Sequence, residues 1–580
     1  MKFEQLPNEL ILDVFEYLDA IDLLHAFYGL NCRFNKLLNI SFKFYHLNFR
    51  SVSKYTFTIV CQQHLSTIIN KIVSFYLADD EETPNLSEIF LSYNFTFNQF
   101  IHLKSLSIQS IQSIDLLNKI ILQCHQLLYL THLKLIECFI NNNENDLINN
   151  IWNLPKLINC HIDNMMSKGI CFTKLLILSS SIKYLSIKNI NCDFRYLSHV
   201  FKQTPYLQQL CTTIICTEKN EKLQTSIPFL KNLNLSFQGS IATMINLFQI
   251  MFNLRSLTLS TSYLLLNGNE WKKILIQFLP NLKIFQLKMD FHFSQSNNVV
   301  DKIDQLLNTF QTNFWIQQHQ WFVRCDWNPS NVFSHAILYT LPYAFNDFNF
   351  INESCSKSTC PNEEDYLFYN QVQNLQHESN ISNNFEYFPI KFLNISHLEI
   401  ILPFNEKFLF NIPSLNHLIS LDVTLLPGDS VYNQLQLLLN RAPYLHLLRF
   451  SHVSDLEIIL FKFQNTSIRR LDFFTKESML YRWYFNQEQC IALANSSLGR
   501  QCQTLVIDIK DRTNVNDLIN NMSNLQSLIF HCKDDKWNHK TSSSSSTNDE
   551  LIQWLHEHLP STCSISRNIN QTSILQVWIR

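Results

Sequence analysis

Glycine is scarce in this chain of 580 residues: there are six glycines, and no two of them lie close together. A loop that cradles phosphate needs several glycines within a few residues, because its backbone N–H groups must approach the ligand closely. The sequence therefore contains no nucleotide-binding loop of the Walker or Rossmann type, which argues against kinases and dehydrogenases. A G-x-S-x-G nucleophile elbow is absent for the same reason.

Excess charge and long apolar runs are also lacking. The formal net charge is −3 at pH 7, so no broad basic field predicts binding to nucleic acid or to an anionic membrane. No apolar run approaches the roughly 18 to 20 residues of a membrane span, and Glu4 and Glu9 lie where a signal peptide would need an apolar core. We expect an intracellular protein, cytoplasmic or nuclear, whose 16 cysteines stay reduced.

The spacing of metal-binding and catalytic residue types is uninformative. Cys211 and Cys216 enclose four residues, as do Cys355 and Cys360, but neither pair has the second close pair that a structural zinc site needs. We expect no cofactor, no metal and no catalytic residue. A hydrolase or transferase within residues 290–394 is an alternative, and it would require a deep pocket with converging polar groups.

The first 45 residues predict three short helices. Pro7 suits the first turn of the first helix, Asp19 or Asp22 can cap the second, and Asn31 can begin the third. The apolar residues of the first helix follow one another at helical spacing, at Leu10, Ile11, Val14, Phe15 and Leu18. Because three helices in about 40 residues cannot build an independent core, this segment should expose apolar surface that a partner covers.

The order and spacing of these residues resemble the F-box. The similarity runs through Leu6-Pro7-x-Glu9-Leu10, Ile11-Leu12-x-Val14-Phe15-x-Tyr17-Leu18, Asp22-Leu23-Leu24 and Leu30-Asn31-Cys32-Arg33-Phe34. The usual Val-Cys-Arg-x-Trp ending is varied here, with Phe34 near the aromatic position. The resemblance implies binding to Skp1 through a helical face. The residues it assigns to that contact are Leu6, Pro7, Leu10, Ile11, Val14, Phe15, Leu18, Leu23 and Leu24.

A motif of the form L-x-x-L-x-[LIF] recurs along the rest of the chain. Its copies begin at positions 103, 130, 157, 182, 207, 230, 254 and 282, and again at 395, 418, 445, 468, 502 and 525. In the first series successive starts lie roughly 25 residues apart, a period typical of leucine-rich repeats. The alternation in each copy predicts a short strand with one buried face, and stretches such as 114–122 and 431–439 predict helices between the strands.

A strand and a helix within each such period predict a right-handed parallel coil whose units are buried only by their neighbours. We therefore expect an α/β fold: a three-helix F-box followed by a curved solenoid of leucine-rich-repeat type, with short parallel strands and helices. The predicted segments are an F-box at 1–48, a helical linker and solenoid cap at 49–100, repeats at 101–290, degenerate repeats at 291–394 with a polar insertion at about 353–385, and repeats with a C-terminal cap at 395–580, including a Ser-rich loop at about 538–549.

Residues between the core positions of each strand face the opposite side of the sheet. They would line the inner face of the solenoid, where mixed polar chemistry suits recognition of a protein, although a solvated face without a ligand is equally compatible with the pattern. The candidate residues on this face are His132, Lys134, His161, Tyr184, Asn232, Asn234, Thr258, Glu399, Asp422, Arg449, Arg470 and Asp472.

Taken together, the resemblance and the repeats favour a non-catalytic adaptor. The F-box would bind Skp1 and, through it, a cullin ligase core, while the repeats would bind a protein target whose ubiquitination is performed by the partners. The alternative is an F-box scaffold for protein interactions with no ligase role. The target itself is not readable from the sequence, because a fold does not name its ligand.

Overall fold

A computed structural model describes the chain except for short segments. The described residues are 3–41, 45–140, 145–163, 172, 175–192, 194–216, 225–293, 298–328, 335–351, 355–378, 390–428, 430–453, 462–474, 483–535, 549–568 and 571–579. Two compact units divide the chain, one over Met1–Leu233 and one over Asn234–Ile579. Among the described helices, none is long and apolar enough to cross a membrane.

Three helices open the first unit: α1 (Asn8–Glu16), α2 (Ala20–Phe27) and α3 (Cys32–Ser41). Of the two candidate caps for the second helix, Asp19 is the one used, because its side chain accepts a 2.8 Å hydrogen bond from the Asp22 N–H. Asn31 begins the third helix as predicted, and its side chain accepts a 2.9 Å bond from the Phe34 N–H.

Parallel strands and short helices make up the rest of the first unit. Its strands are β1 (Tyr45–Asn48), β2 (Ile72–Ala78), β3 (Ser105–Gln109), β4 (His132–Ile136), β5 (Asn159–Asp163), β6 (Tyr184–Cys192) and β7 (Gln209–Ile215). Its helices after α3 are α4 (Lys54–Ile59), α5 (Leu65–Ile68), α6 (Leu86–Ser92), α7 (Ile114–Cys124), α8 (Asn145–Trp152) and α9 (Phe194–Gln203). Each strand from β1 to β6 pairs in parallel with the next one along the chain, so that the series ends with the β6–β7 pair. The first two strands precede the first copy of the motif.

One buried residue from each strand forms a continuous row through the sheet of the first unit. The row consists of register partners at Leu47, Phe75, Leu106, Leu133, Cys160, Leu185 and Leu210, all of them buried. From β3 onward these are the second apolar residues of the sequence motif. The period of the motif is therefore the chain length between neighbouring strands.

The second unit contains the remaining strands and helices. Its strands are β8 (Asn232–Gln238), which begins at the boundary between the units, β9 (Ser256–Ser262), β10 (Ile284–His292), β11 (Val323–Trp327), β12 (His335–Thr340), β13 (Asp347–Ile351), β14 (Cys355–Ser358), β15 (Asn374–Glu378), β16 (His397–Leu402), β17 (Ser420–Leu425), β18 (Leu447–Val453), β19 (Arg470–Asp472), β20 (Thr504–Ile509), β21 (Ser527–Cys532), β22 (Ser564–Arg567) and β23 (Ile574–Trp578). Its helices are α10 (Ile241–Gln249), α11 (Gly268–Phe278), α12 (Val299–Thr309), α13 (Val431–Arg441), α14 (Gln487–Asn495), α15 (Ser497–Gln501), α16 (Asn514–Asn521) and α17 (Glu550–His558).

Strand direction changes within the second unit. Strand β9 pairs in parallel with β10, but β10, β12, β11 and β14 then follow one another in antiparallel pairs. A second sheet runs in parallel through β13, β15, β16, β17, β18, β19, β20 and β21. At its far edge β23 and β22 are antiparallel, and with α17 they occupy the segment predicted to cap the repeats.

Strands β13 and β15 contain a modified form of the motif, which does not fit the pattern L-x-x-L-x-[LIF]. Phe348 is the register partner of Leu375, which is in turn the partner of Leu398 in β16. The corresponding copies begin at Phe345 and Val372, which lie one period apart and carry no leucine at their first position. Strands β14 and β15 thus occupy part of the segment 353–385 for which a polar insertion was predicted. Of the same segment, residues 353–354 and 379–385 lie outside the described residues.

A histidine occupies the last apolar position of the β15 copy. The His377 side chain is 1% exposed, and its ring centroid lies 4.0 Å from that of Phe408 and 5.7 Å from that of Phe350. Burial among these apolar rings lowers the pKa of His377 from 6.5 to about 4, because the charged imidazolium loses its hydration. His377 is therefore neutral in the folded chain at neutral pH.

We predict that His377 makes stability depend on pH. Between pH 6.5 and about pH 4 the unfolded chain binds a proton at this site that the folded chain does not, so stability falls as pH falls. From pH 7.5 to pH 5 the loss from this group is about 2 kcal/mol. Urea unfolding midpoints at the two pH values should therefore differ less in His377→Leu than in the unmodified chain. His132→Leu, at an exposed position, is the control. If the difference between the two urea midpoints became smaller by the same amount in both variants, the prediction would be contradicted.

Two arginines in the second unit join the chain on either side of residues 536–548. The contacts are Arg567 Nη1 to Asp535 Oδ2 at 2.8 Å, Arg567 Nη2 to Asp549 Oδ1 at 2.9 Å, Arg512 Nε to Asp534 Oδ2 at 3.0 Å and Arg512 Nη1 to Glu550 Oε1 at 3.4 Å. Each arginine bonds one acid before the segment and one acid after it. The Ser-rich loop predicted at about 538–549 falls within this segment except for Asp549, so it lies otherwise outside the described residues.

Candidate functional site

The three N-terminal helices share a small apolar core. Its buried members are Ile11, Phe15, Leu23, Phe34, Leu37 and Leu38. Leu24 is buried as well, and α2 packs against β1 and α4 in addition to α3. Ile11, Phe15, Leu23 and Leu24, four of the residues assigned to the Skp1 contact, are therefore interior residues in this structure.

A second group of apolar side chains, on α1 and on the two residues that follow it, is exposed to solvent. Leu10 is 49% exposed, Val14 37%, Tyr17 89% and Leu18 37%. These four residues, which we call the α1 stripe, have the i, i+4, i+7, i+8 spacing of a helix face, but only Leu10 and Val14 lie within α1, Tyr17 is its C-terminal cap and Leu18 follows the cap. An exposed stripe of this kind on a helix is typical of a surface that a partner covers. Leu10, Val14 and Leu18 are among the residues that the F-box resemblance assigns to the Skp1 contact, whereas Tyr17 is not, although its spacing of three residues from Val14 identifies it as a neighbour on the same side.

Arg33 of α3 fixes the segment that leads into α1. Its Nη1 donates to the Glu4 carbonyl at 2.5 Å, its Nη2 to the Leu6 carbonyl at 2.6 Å, and its Nε to Asn8 Oδ1 at 2.9 Å. A planar guanidinium presents its donors in a fixed fork, so one side chain can hold three acceptors in a set geometry. Arg33 thereby positions half-buried Leu6 and exposed Pro7 at the N-terminal end of the α1 stripe.

We predict that Arg33→Ala loosens this segment without unfolding the rest of the chain. Amide hydrogen exchange of residues 3–11 should become roughly tenfold faster, because hydrogen bonds from a charged group contribute about 1.5 to 3 kcal/mol. Arg33→Lys should give an intermediate rate, since an ammonium cannot reach all three acceptors at once. Arg50→Ala, which removes a cation over the Tyr76 ring, should leave this peptide unchanged. If amide hydrogen exchange of residues 3–11 were unchanged in Arg33→Ala, the hydrogen bonds of Arg33 would not be what orders this segment.

In the first unit, four of the predicted inner-face residues lie on one face of the sheet. Asn159 on β5 is the register partner of both His132 on β4 and Tyr184 on β6. Lys134 on β4 is the register partner of His161 on β5. His132, Lys134 and Tyr184 are exposed, whereas His161 is half-buried. Burial lowers the pKa of His161, the Lys134 ammonium lowers it further, and the Asp163 carboxylate at 4.0 Å opposes both effects.

Three further inner-face residues lie on β8 and β9. Asn232 and Asn234 are exposed on β8, at the boundary between the two units. Thr258 on β9 is half-buried and donates a 2.7 Å hydrogen bond from its Oγ1 to Gln286 Oε1 on β10.

In the second unit, most of the predicted inner-face charges are paired with one another. Asp422, Arg449 and Asp472 are register partners on β17, β18 and β19, and half-buried Glu399 is the partner of Asp422 on the other side. The contacts are Arg449 Nε to Asp472 Oδ2 at 2.9 Å, Arg449 Nη1 to Asp422 Oδ2 at 3.9 Å and Arg470 Nη2 to Asp472 Oδ2 at 3.6 Å. The side chains of Asp422 and Asp472 are 1% and 5% exposed. The cluster therefore stabilises the sheet more than it offers charge to a partner.

We predict that Arg449→Met destabilises the second unit. The change removes a cation that pairs with two buried carboxylates, Asp422 and Asp472, and an uncompensated buried charge costs about 3 to 5 kcal/mol. We expect about 3 kcal/mol, because Arg449 itself is 26% exposed. Lys134→Met, at an exposed strand position, is the matched control and should change the free energy of unfolding by less than about 0.5 kcal/mol. Equal effects of the two substitutions would contradict a structural role for the cluster.

Comparison with protein families agrees with the N-terminal geometry. Residues 3–26 match the family model of the F-box domain. The match spans α1 and all but the last residue of α2, and Arg33 lies beyond it. The chain therefore contains an F-box domain, which implies Skp1 binding, and F-box proteins are generally adaptors rather than enzymes. No curated protein sequence matches the chain.

Proposed function

We propose that this chain is the substrate-recognition subunit of a cullin-based ubiquitin ligase of the SCF type. Its F-box domain binds Skp1, and its strand-and-helix units form a leucine-rich-repeat-like solenoid that binds a protein target. The chain itself supplies no catalytic group. Ubiquitin transfer is performed by the partners, and the role of this chain is to hold the target close to them.

The observation that carries this proposal is the exposed α1 stripe within the segment that matches the F-box domain. Leu10 and Val14 lie one turn apart on α1, Leu18 follows the end of the helix, and all three are apolar and exposed, as a binding surface requires. The buried residues Ile11 and Phe15 support the surface from beneath. Skp1 contact is therefore assigned to the α1 stripe with Leu6 and Pro7, and an indirect, supporting role is assigned to the buried residues.

The recurring strands support the leucine-rich-repeat proposal. Seven parallel strands of the first unit pair in chain order, and each contributes one buried residue to a common row. Such units bury their apolar faces only against neighbours, which is the property of a repeat protein. Repeat proteins offer long sheet surfaces for protein recognition, and this is the role that we assign to the units here.

For target binding we favour the exposed polar residues of the first unit. His132, Lys134 and Tyr184 lie on one sheet face and are accessible. Asp422 and Asp472 are poor candidates, because both carboxylates are buried against arginines. The target surface is therefore proposed to be centred on the first unit.

Binding of the full-length chain to purified Skp1 tests the proposal. Leu10→Glu combined with Val14→Glu should weaken binding at least tenfold, because each places a charge in an apolar contact while both sites are solvent-exposed in the free chain. Leu128→Glu is the matched control: this leucine is 63% exposed in the same unit but lies away from the F-box helices. Circular dichroism and thermal unfolding should show that all variants are folded. Equal Skp1 affinity in the double variant and the control would refute the assignment.

The ligase role is tested by adding the cullin to the Skp1 complex. Co-elution of all three chains supports a ligase subunit, whereas Skp1 binding that excludes the cullin favours the scaffold alternative. Proximity labelling with the ligase inhibited provides a second arm. A triple variant, His132→Ala with Lys134→Ala and Tyr184→Ala, should keep Skp1 binding and lose labelled target proteins. Unchanged labelling would place the target elsewhere on the chain.

A further inference from the structure

Three side chains with metal-binding chemistry meet in the second unit, at the point where strand direction changes. Asp290 and His292 are two residues apart on β10 and therefore point to the same face of the sheet. His335 on β12 is the antiparallel register partner of His292. One ligand atom from each of the three residues lies within 4.8 Å of the other two.

The contacts within this group are close. Asp290 Oδ1 lies 2.6 Å from His335 Nε2, and the ring centroids of His292 and His335 are 5.0 Å apart. The Tyr263 ring stacks on His292 at 6.2 Å with an interplanar angle of 28°, and this limits the orientations of the imidazole. A cation also lies nearby: Lys288 shares this face of β10, but its ammonium lies over the Phe345 ring at 5.8 Å.

This arrangement fits a divalent transition metal. Zinc is bound by imidazole nitrogen and carboxylate oxygen at about 2.0 to 2.2 Å, and sites with two histidines and one carboxylate keep a further position for water. Ligand atoms around such an ion are about 3.3 Å apart in tetrahedral geometry, by the bond lengths quoted. The Asp290–His335 pair is already closer than this. His292 is exposed, and its ligand atom lies within 4.8 Å of those of Asp290 and His335, so a rotation of its side chain can complete the set.

We propose that Asp290, His292 and His335 form a binding site for a divalent transition-metal ion of the Zn²⁺ class. The ion would be coordinated by Asp290 Oδ1 and by one imidazole nitrogen from each histidine, and solvent would complete its coordination. Where Nε2 of His335 is the ligand, the proton that it shares with Asp290 is transferred to solvent or to Nδ1. The ion would cross-link β10 and β12, the two strands at which parallel pairing ends.

Nothing in the linear sequence points to this site, because His292 and His335 are far apart in the chain and the cysteine pairs are the more obvious metal-like spacing. Only the antiparallel pairing of β10 and β12 brings the histidines opposite each other. The proposal is independent of the F-box assignment. It stands or falls with the geometry of the second unit alone.

Titration of the reduced full-length chain with Zn²⁺, followed by calorimetry, tests the site. We expect one ion at micromolar affinity that is lost with His335→Ala and weakened at least tenfold by Asp290→Asn or His292→Ala. His161→Ala is the control, because His161 and Asp163 form a similar pair in the first unit and no metal-binding group of three forms around them among the described residues. His292 is exposed, so the His292→Ala variant should remain folded. It replaces His335→Ala in the test if that variant does not fold.

Cobalt provides a second readout that distinguishes this site from the free cysteines. Co²⁺ bound by histidine and carboxylate should give d–d absorption without a thiolate charge-transfer band, and the d–d bands should disappear in the His292→Ala variant. Binding of Zn²⁺ weaker than millimolar in the unmodified chain would overturn the proposal. So would a thiolate band, or an affinity that is the same in His161→Ala and in the variants of the three ligands.

Discussion

Contact between one buried residue and its equivalents on the two neighbouring strands is the constraint on which both units depend. In the first unit the row runs from Leu47 to Leu210, and in the second unit an equivalent row runs from Phe348 to Leu528. A strand of five or six residues cannot bury its own apolar face, so each strand is stable only between two others. If one residue of the row is lost, its two neighbours in the row are exposed. This explains why the spacing between strands is kept even where the leucines of the motif are replaced by other residues.

The antiparallel strands β11, β12 and β14 show how a break in this order is accommodated. Arg324 and Asp326 on β11 are buried and bonded at 3.0 Å, and Tyr339 connects Asp326 to Tyr369 through hydroxyl bonds of 2.5 and 2.8 Å. These are the converging polar groups that an enzyme within residues 290–394 would require. They are buried and bonded to one another, which is the condition under which polar groups stabilise a core. The bonds connect β11 and β12 to Tyr369, which precedes β15 of the second sheet.

Local patterns were predictable from the sequence and contacts between distant strands were not. The caps at Asp19 and Asn31 and the leucine positions of the motif follow from spacing along the chain, so the helices and most of the strands were expected. The copies with Phe348 and His377 were missed because aromatic and imidazole side chains fill positions where leucine was sought. The pairing of Arg449 with Asp472 depends on the register between β18 and β19, which no local pattern encodes. The sequence therefore predicted target-binding residues at positions where the structure pairs Arg449 with Asp422 and Asp472.

The closure of residues 536–548 by Arg512 and Arg567 has a practical consequence. Because acids on both sides of this segment bond the same two cations, the residues that flank it, Asp535 and Asp549, are held close together. Lengthening a loop whose ends are already held together adds little closure entropy, about 0.6 kcal/mol for each doubling. A fluorescent protein or an affinity peptide inserted here would be attached by two tethers to a rigid base. This position is therefore a suitable site at which to insert a label for following the chain in cells.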